Sequence, residues 1–106
     1  MTIETNVFYP DIVRNAPNTR KRAKAMQKLA NLGMRTYVTC EPLIKFDLPG
    51  MVELVRMCSP VQVNIGRNSR QDITLPEPTR NEVQALITEL QKFTRVLVKS
   101  NAKCWI

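Results

Sequence analysis

The chain has 106 residues, of which 43% are hydrophobic, and carries a formal net charge of +7. This length and composition predict a single small globular domain with a thin core. No run of about 18 apolar residues is present, which excludes a membrane-spanning helix. The stretch Met1–Glu4 lacks the cationic lead of a signal peptide, so we expect a cytoplasmic protein.

The three cysteines are Cys40, Cys58 and Cys104, and the chain has no histidine. Zinc sites place their ligands in closely spaced pairs, and no such pair exists here. The spacing therefore predicts no metal site. We expect three reduced thiols, two of them packed as small hydrophobic side chains.

Four segments have the composition and length of strands. They are Thr2–Val7, Thr36–Glu41, Val61–Gly66 and Arg95–Lys99. A helix pattern fills each gap between them, and this alternation is typical of βαβ units with a parallel sheet. The sequence thus predicts an α/β fold in the order βαβαβαβ.

The three helix patterns carry recognisable start and stop signals. The first runs from about Asn18 to Leu32 and ends at Gly33, and the second runs from Leu48 to Cys58 after the capping residue Asp47. The third opens on Thr79–Glu82, which has the spacing of a capping box. Each pattern has one apolar stripe, so each helix should pack one face on the sheet.

Polar residues alternate with apolar ones along the strands. Glu4 and Asn6 oppose Ile3 and Val7, and Glu41 lies opposite Cys40. Strands covered on both faces are nearly continuously apolar. The alternation therefore favours a partial TIM-type half-barrel, or a small open parallel sheet with helices on one face. A flavodoxin-like sandwich is the alternative.

Four of these polar residues lie late in their strands, where parallel α/β folds bind ligands. They are Glu4, Asn6, Glu41 and Asn64. With Gly66, which ends the third strand segment, they form a candidate binding face. The other interpretation is a polar face that only meets solvent. We expect the side chains of Glu4, Asn6, Glu41 and Asn64 to converge on one concave surface.

Basic residues concentrate at the start of the first helix, at Arg20, Lys21, Arg22 and Lys24. Arg67 and Arg70 add positive charge further along the chain. Such a group favours contact with nucleic acid or an acidic protein. A helix face that only meets water is the simpler interpretation. No aromatic residue interleaves with the first run, so the stacking platform of a single-strand binder is not indicated.

Five segments occur in this order along the chain: Thr2-Ile3-Glu4-Thr5-Asn6, Thr39-Cys40-Glu41-Pro42-Leu43, Phe46-Asp47-Leu48, Gln62-Val63-Asn64-Ile65-Gly66 and Leu75-Pro76-Glu77-Pro78. Together they resemble the back half of a radical SAM partial barrel of the phage-type and spore photoproduct lyase-like group. The resemblance covers nearly the whole chain. It implies that Glu4 and Asn6 face the ribose and amino-acid parts of S-adenosylmethionine. It also implies that Glu41 points into the cavity and that Asn64 and Gly66 lie near the adenine or the substrate.

The chain departs from that family in lacking the CxxxCxxC loop, whose cysteines hold a [4Fe–4S] cluster. Arg67 and Asn68, and Lys45 before Phe46, also differ from the family pattern. The expected function is a truncated or split radical SAM-like domain without catalysis of its own. The cofactor and cluster would come only with a complementary N-terminal half, or two copies would close a common interior. The alternative is a small basic phage or mobile-element protein that binds nucleic acid or an acidic protein.

Overall fold

The computed structural model describes residues 1–7, Tyr9, residues 19–68 and residues 74–106. Within them, three helices alternate with three short strands, and a 3₁₀ helix follows the last strand. The helices are α1 Thr19–Asn31, α2 Leu48–Cys58 and α3 Arg80–Leu90; the strands are β1 Tyr37–Cys40, β2 Gln62–Ile65 and β3 Arg95–Val98; the 3₁₀ helix is Ser100–Trp105. The predicted α/β class is confirmed.

The helix ends follow the predicted capping residues. Asp47 accepts a hydrogen bond from the Gly50 backbone N–H at the start of α2. At α3, Thr79 and Glu82 satisfy each other's backbone N–H groups, so the capping box is confirmed. Gly33 has φ +84, the left-handed conformation predicted at the end of α1. Asn18, the predicted start of that helix, lies outside the described residues.

The strands form one parallel sheet in the order β1-β2-β3. One face packs on all three helices and forms the core with Val38, Cys40, Val63 and Ile65, all fully buried. We call the opposite side the open face. It carries the following strand side chains: Tyr37, Thr39, Gln62, Asn64, Arg95 and Leu97. The structure is thus the predicted small open sheet with helices on one face, and within the described residues no helix covers the second face as a sandwich requires.

The predicted first strand, Thr2–Val7, is wrong beyond its first residues. Thr2 forms a single parallel bridge with Thr39, and Ile3 donates its backbone N–H to the Thr39 carbonyl. From Glu4 onward the chain bonds to the loop after β1 instead, because the Glu4 carbonyl accepts from Ile44 and the Thr5 hydroxyl donates to Lys45. Competition from this loop ends the pairing with β1.

Candidate functional site

The carboxyl end of the sheet carries an ion pair on the open face. Glu41 follows β1 and Lys99 follows β3, and the Glu41 carboxylate lies 2.5 Å from the Lys99 ammonium group. Gly66, after β2, lies between them. A Cβ atom built on Gly66 would stand 2.7 Å from two side-chain carbons of Glu41. Glu41 therefore reaches Lys99 by passing over the position where any other residue would have a side chain.

Asn64 lies on the same face, one row below this pair. The strand register places it beside Thr39 of β1 and Leu97 of β3. Its side-chain oxygen accepts a hydrogen bond of 2.7 Å from Gln62, the preceding open-face residue of β2. The predicted shared face for Glu41 and Asn64 is confirmed by this register, with Gly66 in the adjacent row.

Glu4 forms an ion pair with a basic residue of helix α1. Its carboxylate lies 3.2 Å from the guanidinium group of Arg22, and both side chains are mostly buried. Arg22 also donates a hydrogen bond of 2.6 Å to the carbonyl of Thr2. Glu4 and Glu41 therefore do not share one ligand. Each carboxylate is neutralised by its own basic partner, on a different part of the fold.

Asn6 lies against the start of α2 and not on the open face. Its side-chain oxygen accepts a hydrogen bond from the backbone N–H of Asp47 at 2.9 Å, and its amide nitrogen fills the space that a Cβ atom on Gly50 would need. It lines a small cavity of about 170 Å³ with residues of α1 and α2, namely Thr19, Arg20, Gly50, Glu53 and Leu54. The expected convergence of four polar side chains on one concave face is wrong, since Glu4 and Asn6 contact the helices.

The basic residues of α1 divide into two groups. Arg22 faces inward to Glu4, whereas Arg20, Lys21 and Lys24 are exposed. Lys28 is also exposed, and Lys21, Lys24 and Lys28 have the i, i+3, i+7 spacing of one helix stripe. The helix contains no acidic residue. Lys28 lies outside the dense cluster at Arg20–Lys24 and joins the stripe only through the helical period, so the cluster alone did not predict it.

Arg67 is held within the chain by several contacts. Two of its guanidinium nitrogens bind the two carboxylate oxygens of Glu77 at 2.9 and 3.1 Å. Its backbone N–H and carbonyl bind the Asn101 side chain. The pKa of Arg67 is raised, chiefly by the hydrogen bond to Glu77. This geometry commits Arg67 to an internal ion pair, which speaks against its predicted contact with a polyanion. Arg70 lies outside the described residues.

The three thiols do not fit an iron–sulfur cluster. Cys40 and Cys58 are buried in the core, whereas Cys104 is exposed. Burial raises the pKa of Cys40 to about 12, with a further contribution from the negative charge of Glu4, and burial raises the pKa of Cys58 to about 11. Cluster ligands are thiolates, and both buried thiols resist deprotonation. Among the described residues, no three potential metal ligands are grouped together.

Comparison of the chain with models of protein families, with curated proteins and with solved structures found no match. In the part of the chain that the structure describes, no helix has both the length and the apolar character needed to cross a membrane. The candidate site is thus defined by its own geometry. It consists of the open face with the Glu41–Lys99 pair, and of the basic stripe on α1.

Proposed function

We propose that the chain is a half-barrel module of the radical SAM type that is inactive alone and acts after joining a complementary half. One observation carries the proposal: within the described residues, three parallel strands have helices on one face only, with Glu41, Asn64 and Gly66 at the carboxyl end of the uncovered face. Closed βα barrels place helices outside and line the interior with the opposite strand face. An uncovered inner face is what a barrel cut lengthwise would have.

In this proposal the module contributes walls and charge and no catalytic group. Glu41 and Lys99 would stand at the mouth of the shared interior, where their mutual neutralisation lowers the cost of excluding water. The cysteines of this chain do not fit the cluster, so its ligands would belong to the complementary half. The S-adenosylmethionine contacts proposed for Glu4 and Asn6 would compete with existing hydrogen bonds, because Glu4 accepts from Arg22 of α1 and Asn6 accepts from Asp47, the N-cap residue of α2.

Solution mass tests this function. Light scattering of the chain should give 12.2 kDa alone and a larger complex with a separately produced radical SAM half that carries CxxxCxxC. Anaerobic reconstitution of the chain alone should leave it colourless, and the complex should absorb near ~400 nm as iron–sulfur proteins do. A mass twice that of the chain would support the homodimer of half-barrels. A cluster formed on the chain alone would contradict the proposal.

A second function, nucleic-acid binding through α1, is favoured by the stripe of Lys21, Lys24 and Lys28. The three lysines span about 10 Å of helix, and α1 itself contributes positive charge and no acidic residue to this surface. Lysines in such a row meet phosphates, so the contact should be independent of base sequence and weakened by salt.

Salt-dependent binding to a mixed-sequence duplex and a single strand tests this second function. Replacing Lys21, Lys24 and Lys28 by alanine should make the negative slope of log K against log salt shallower by about 2 to 3. The matched control replaces the exposed lysines Lys45, Lys92 and Lys103, which removes equal charge elsewhere. Equal losses in both variants would indicate net charge alone, and no binding at low salt would remove this function. Binding to an acidic protein without binding to nucleic acid would identify an acidic protein as the partner of this surface.

A further inference from the structure

The two edges of the sheet are not equivalent. At the β1 edge, Thr39 donates its backbone N–H to the Met1 carbonyl at 2.8 Å and accepts from Ile3 at 2.9 Å. The next carbonyl outward, that of Thr2, is occupied by the guanidinium group of Arg22. The first residues of the chain thus pair with the β1 edge, and the charged side chain of Arg22 binds the carbonyl that these residues direct outward.

The outer edge of β3 has no such cover among the described residues. Lys99 donates its backbone N–H to the Ile65 carbonyl at 2.8 Å, so Leu97 and Lys99 direct their backbone groups toward β2. Val96 and Val98 therefore direct theirs away from the sheet. In the described part of the chain, no strand pairs with this side of β3. Unpaired strand edges are templates for added strands.

We propose that the outer edge of β3 is the docking edge of the chain, and that it receives an extended partner segment in which apolar and acidic residues alternate. The inference deepens the proposed half-barrel function and rests on it, because it names the surface at which the complementary half joins. Strand addition of this kind gains affinity from backbone hydrogen bonds and specificity from alternate side chains.

The side chains of β3 give the chemistry of the partner segment. Val96 and Val98 are half-buried at the border of the core, so apolar partner residues would extend the core on that face. On the open face, Leu97 is 46% exposed and lies between Arg95 and Lys99. Lys99 already binds Glu41, whereas Arg95 has no ion-pair partner within the described residues. An acidic partner residue beside Arg95 would complete this face.

A second copy of this chain is a poor occupant of the same edge. Antiparallel pairing of two β3 strands through Leu97 would place Arg95 of one copy beside Lys99 of the other. Like charges directly opposite each other destabilise a strand pair, and each chain carries a net charge of +7. Charge therefore favours a different, acidic segment.

Amide hydrogen exchange and NMR titration test the docking edge with a defined probe, a blocked peptide of alternating glutamate and valine. In the free chain, the amides of Val96 and Val98 should exchange fast, while those of Leu97 and Lys99 are protected. The peptide should protect Val96 and Val98. A lysine–valine peptide of equal length is the control and should bind at least about tenfold more weakly.

Three variants locate the contact. Val96→Pro removes an outward N–H that the sheet does not use and should abolish peptide binding, while Val96→Ala keeps the N–H and should retain binding. Arg95→Glu should reverse the preference between the two peptides. This variant keeps every backbone group, so it tests the contact even if the Val96→Pro chain does not fold. Peptide binding that leaves Val96 and Val98 unprotected, or survives Val96→Pro in a folded chain, would overturn the inference. So would the absence of any binding.

Binding of the complementary half to the unchanged chain and to Val96→Pro distinguishes a failure of the docking edge from a failure of the proposed function. If the half binds Val96→Pro and the unchanged chain equally well, the docking edge is wrong and the half-barrel function stands. If the half does not bind but the glutamate–valine peptide does, the edge stands and the half-barrel function fails. Protection of Val96 that rises with the concentration of the chain alone would identify a second copy and contradict the proposed occupant.

Discussion

Glu41 and Lys99 form an ion pair across the whole width of the three-stranded sheet, although 58 positions separate them in sequence. The pair bridges the ends of β1 and β3 above Gly66, which leaves room for the Glu41 side chain. The same residues define the carboxyl end of the open face. Gly66, which the resemblance to radical SAM proteins places near a ligand, thus has a structural role that needs no ligand.

Substitution of Gly66 by alanine should destabilise the chain by about 1–3 kcal/mol, the usual cost of forcing an extra group into a filled space. The new Cβ would stand 2.7 Å from side-chain carbons of Glu41 and displace the carboxylate from Lys99. Urea denaturation measures the change. Because Glu41→Ala removes the crowding atoms, Gly66→Ala should cost less in that background, and strictly additive effects of the two substitutions would contradict the proposed contact.

Arg22→Ala should cost about 1–3 kcal/mol, as expected for a mostly buried charged hydrogen-bonding group. The substitution leaves both the Glu4 carboxylate and the Thr2 carbonyl without their partner. Lys24→Ala, on the exposed face of the same helix, is the matched control and should change the free energy of unfolding by less than about 0.5 kcal/mol. Equal effects of the two substitutions in urea denaturation would show that the Arg22 contacts contribute nothing to stability.

Local signals predicted the helices well. A capping box or an N-cap acts within one turn, so Thr79–Glu82 and Asp47 could be read without knowledge of the rest of the chain. The period of two in β1 and β2 likewise separated core from open-face residues. The 3₁₀ helix Ser100–Trp105 was missed because its stability depends on tertiary burial of Ala102 and Trp105.

Long-range competition explains what the sequence did not reveal. Nothing local to Thr2–Val7 indicates that the loop at Ile44 and Lys45 takes its backbone partners from β1. Similarly, the alternation places Glu4 on the polar face of a strand. In the structure its partner is Arg22, which lies on a helix 18 positions later in the chain. The candidate site could therefore be predicted as a face of the sheet, but not as a set of side chains that meet.

One thiol of three should react rapidly with a disulfide reagent in the folded chain at pH 8. Cys104 is exposed, while Cys40 and Cys58 are fully buried and have raised pKa values. Thiolates are the reactive form, so burial and protonation both protect the core thiols. Unfolding in guanidinium chloride should make all three thiols react, and Cys104→Ala should abolish the fast reaction of the folded chain. Two fast thiols in the native chain would contradict the core assignment.

The buried thiols should also make the fold sensitive to alkaline pH. Each has an ordinary pKa of 9.0, which the fold raises to about 12 for Cys40 and about 11 for Cys58, in both cases mainly through burial. Above pH 9 the unfolded chain loses these protons and the folded chain keeps them. The unfolded state then binds fewer protons, so the free energy of unfolding falls as pH rises.

The loss should approach about 1.4 kcal/mol per pH unit for each thiol between its ordinary and its raised pKa, and it is absent below pH 9. Urea denaturation from pH 8 to 10.5 measures it. Tyrosine and lysine also titrate there, so the comparison is with the variant Cys40→Ala, Cys58→Ala. That variant should be less stable at pH 8, because methyl-sized cavities replace two buried sulfur atoms. Its stability should nevertheless fall less steeply above pH 9, and the two curves should converge. Parallel curves would mean that both thiols ionise in the folded chain as easily as in the unfolded one, and that the core around β1 and α2 admits water.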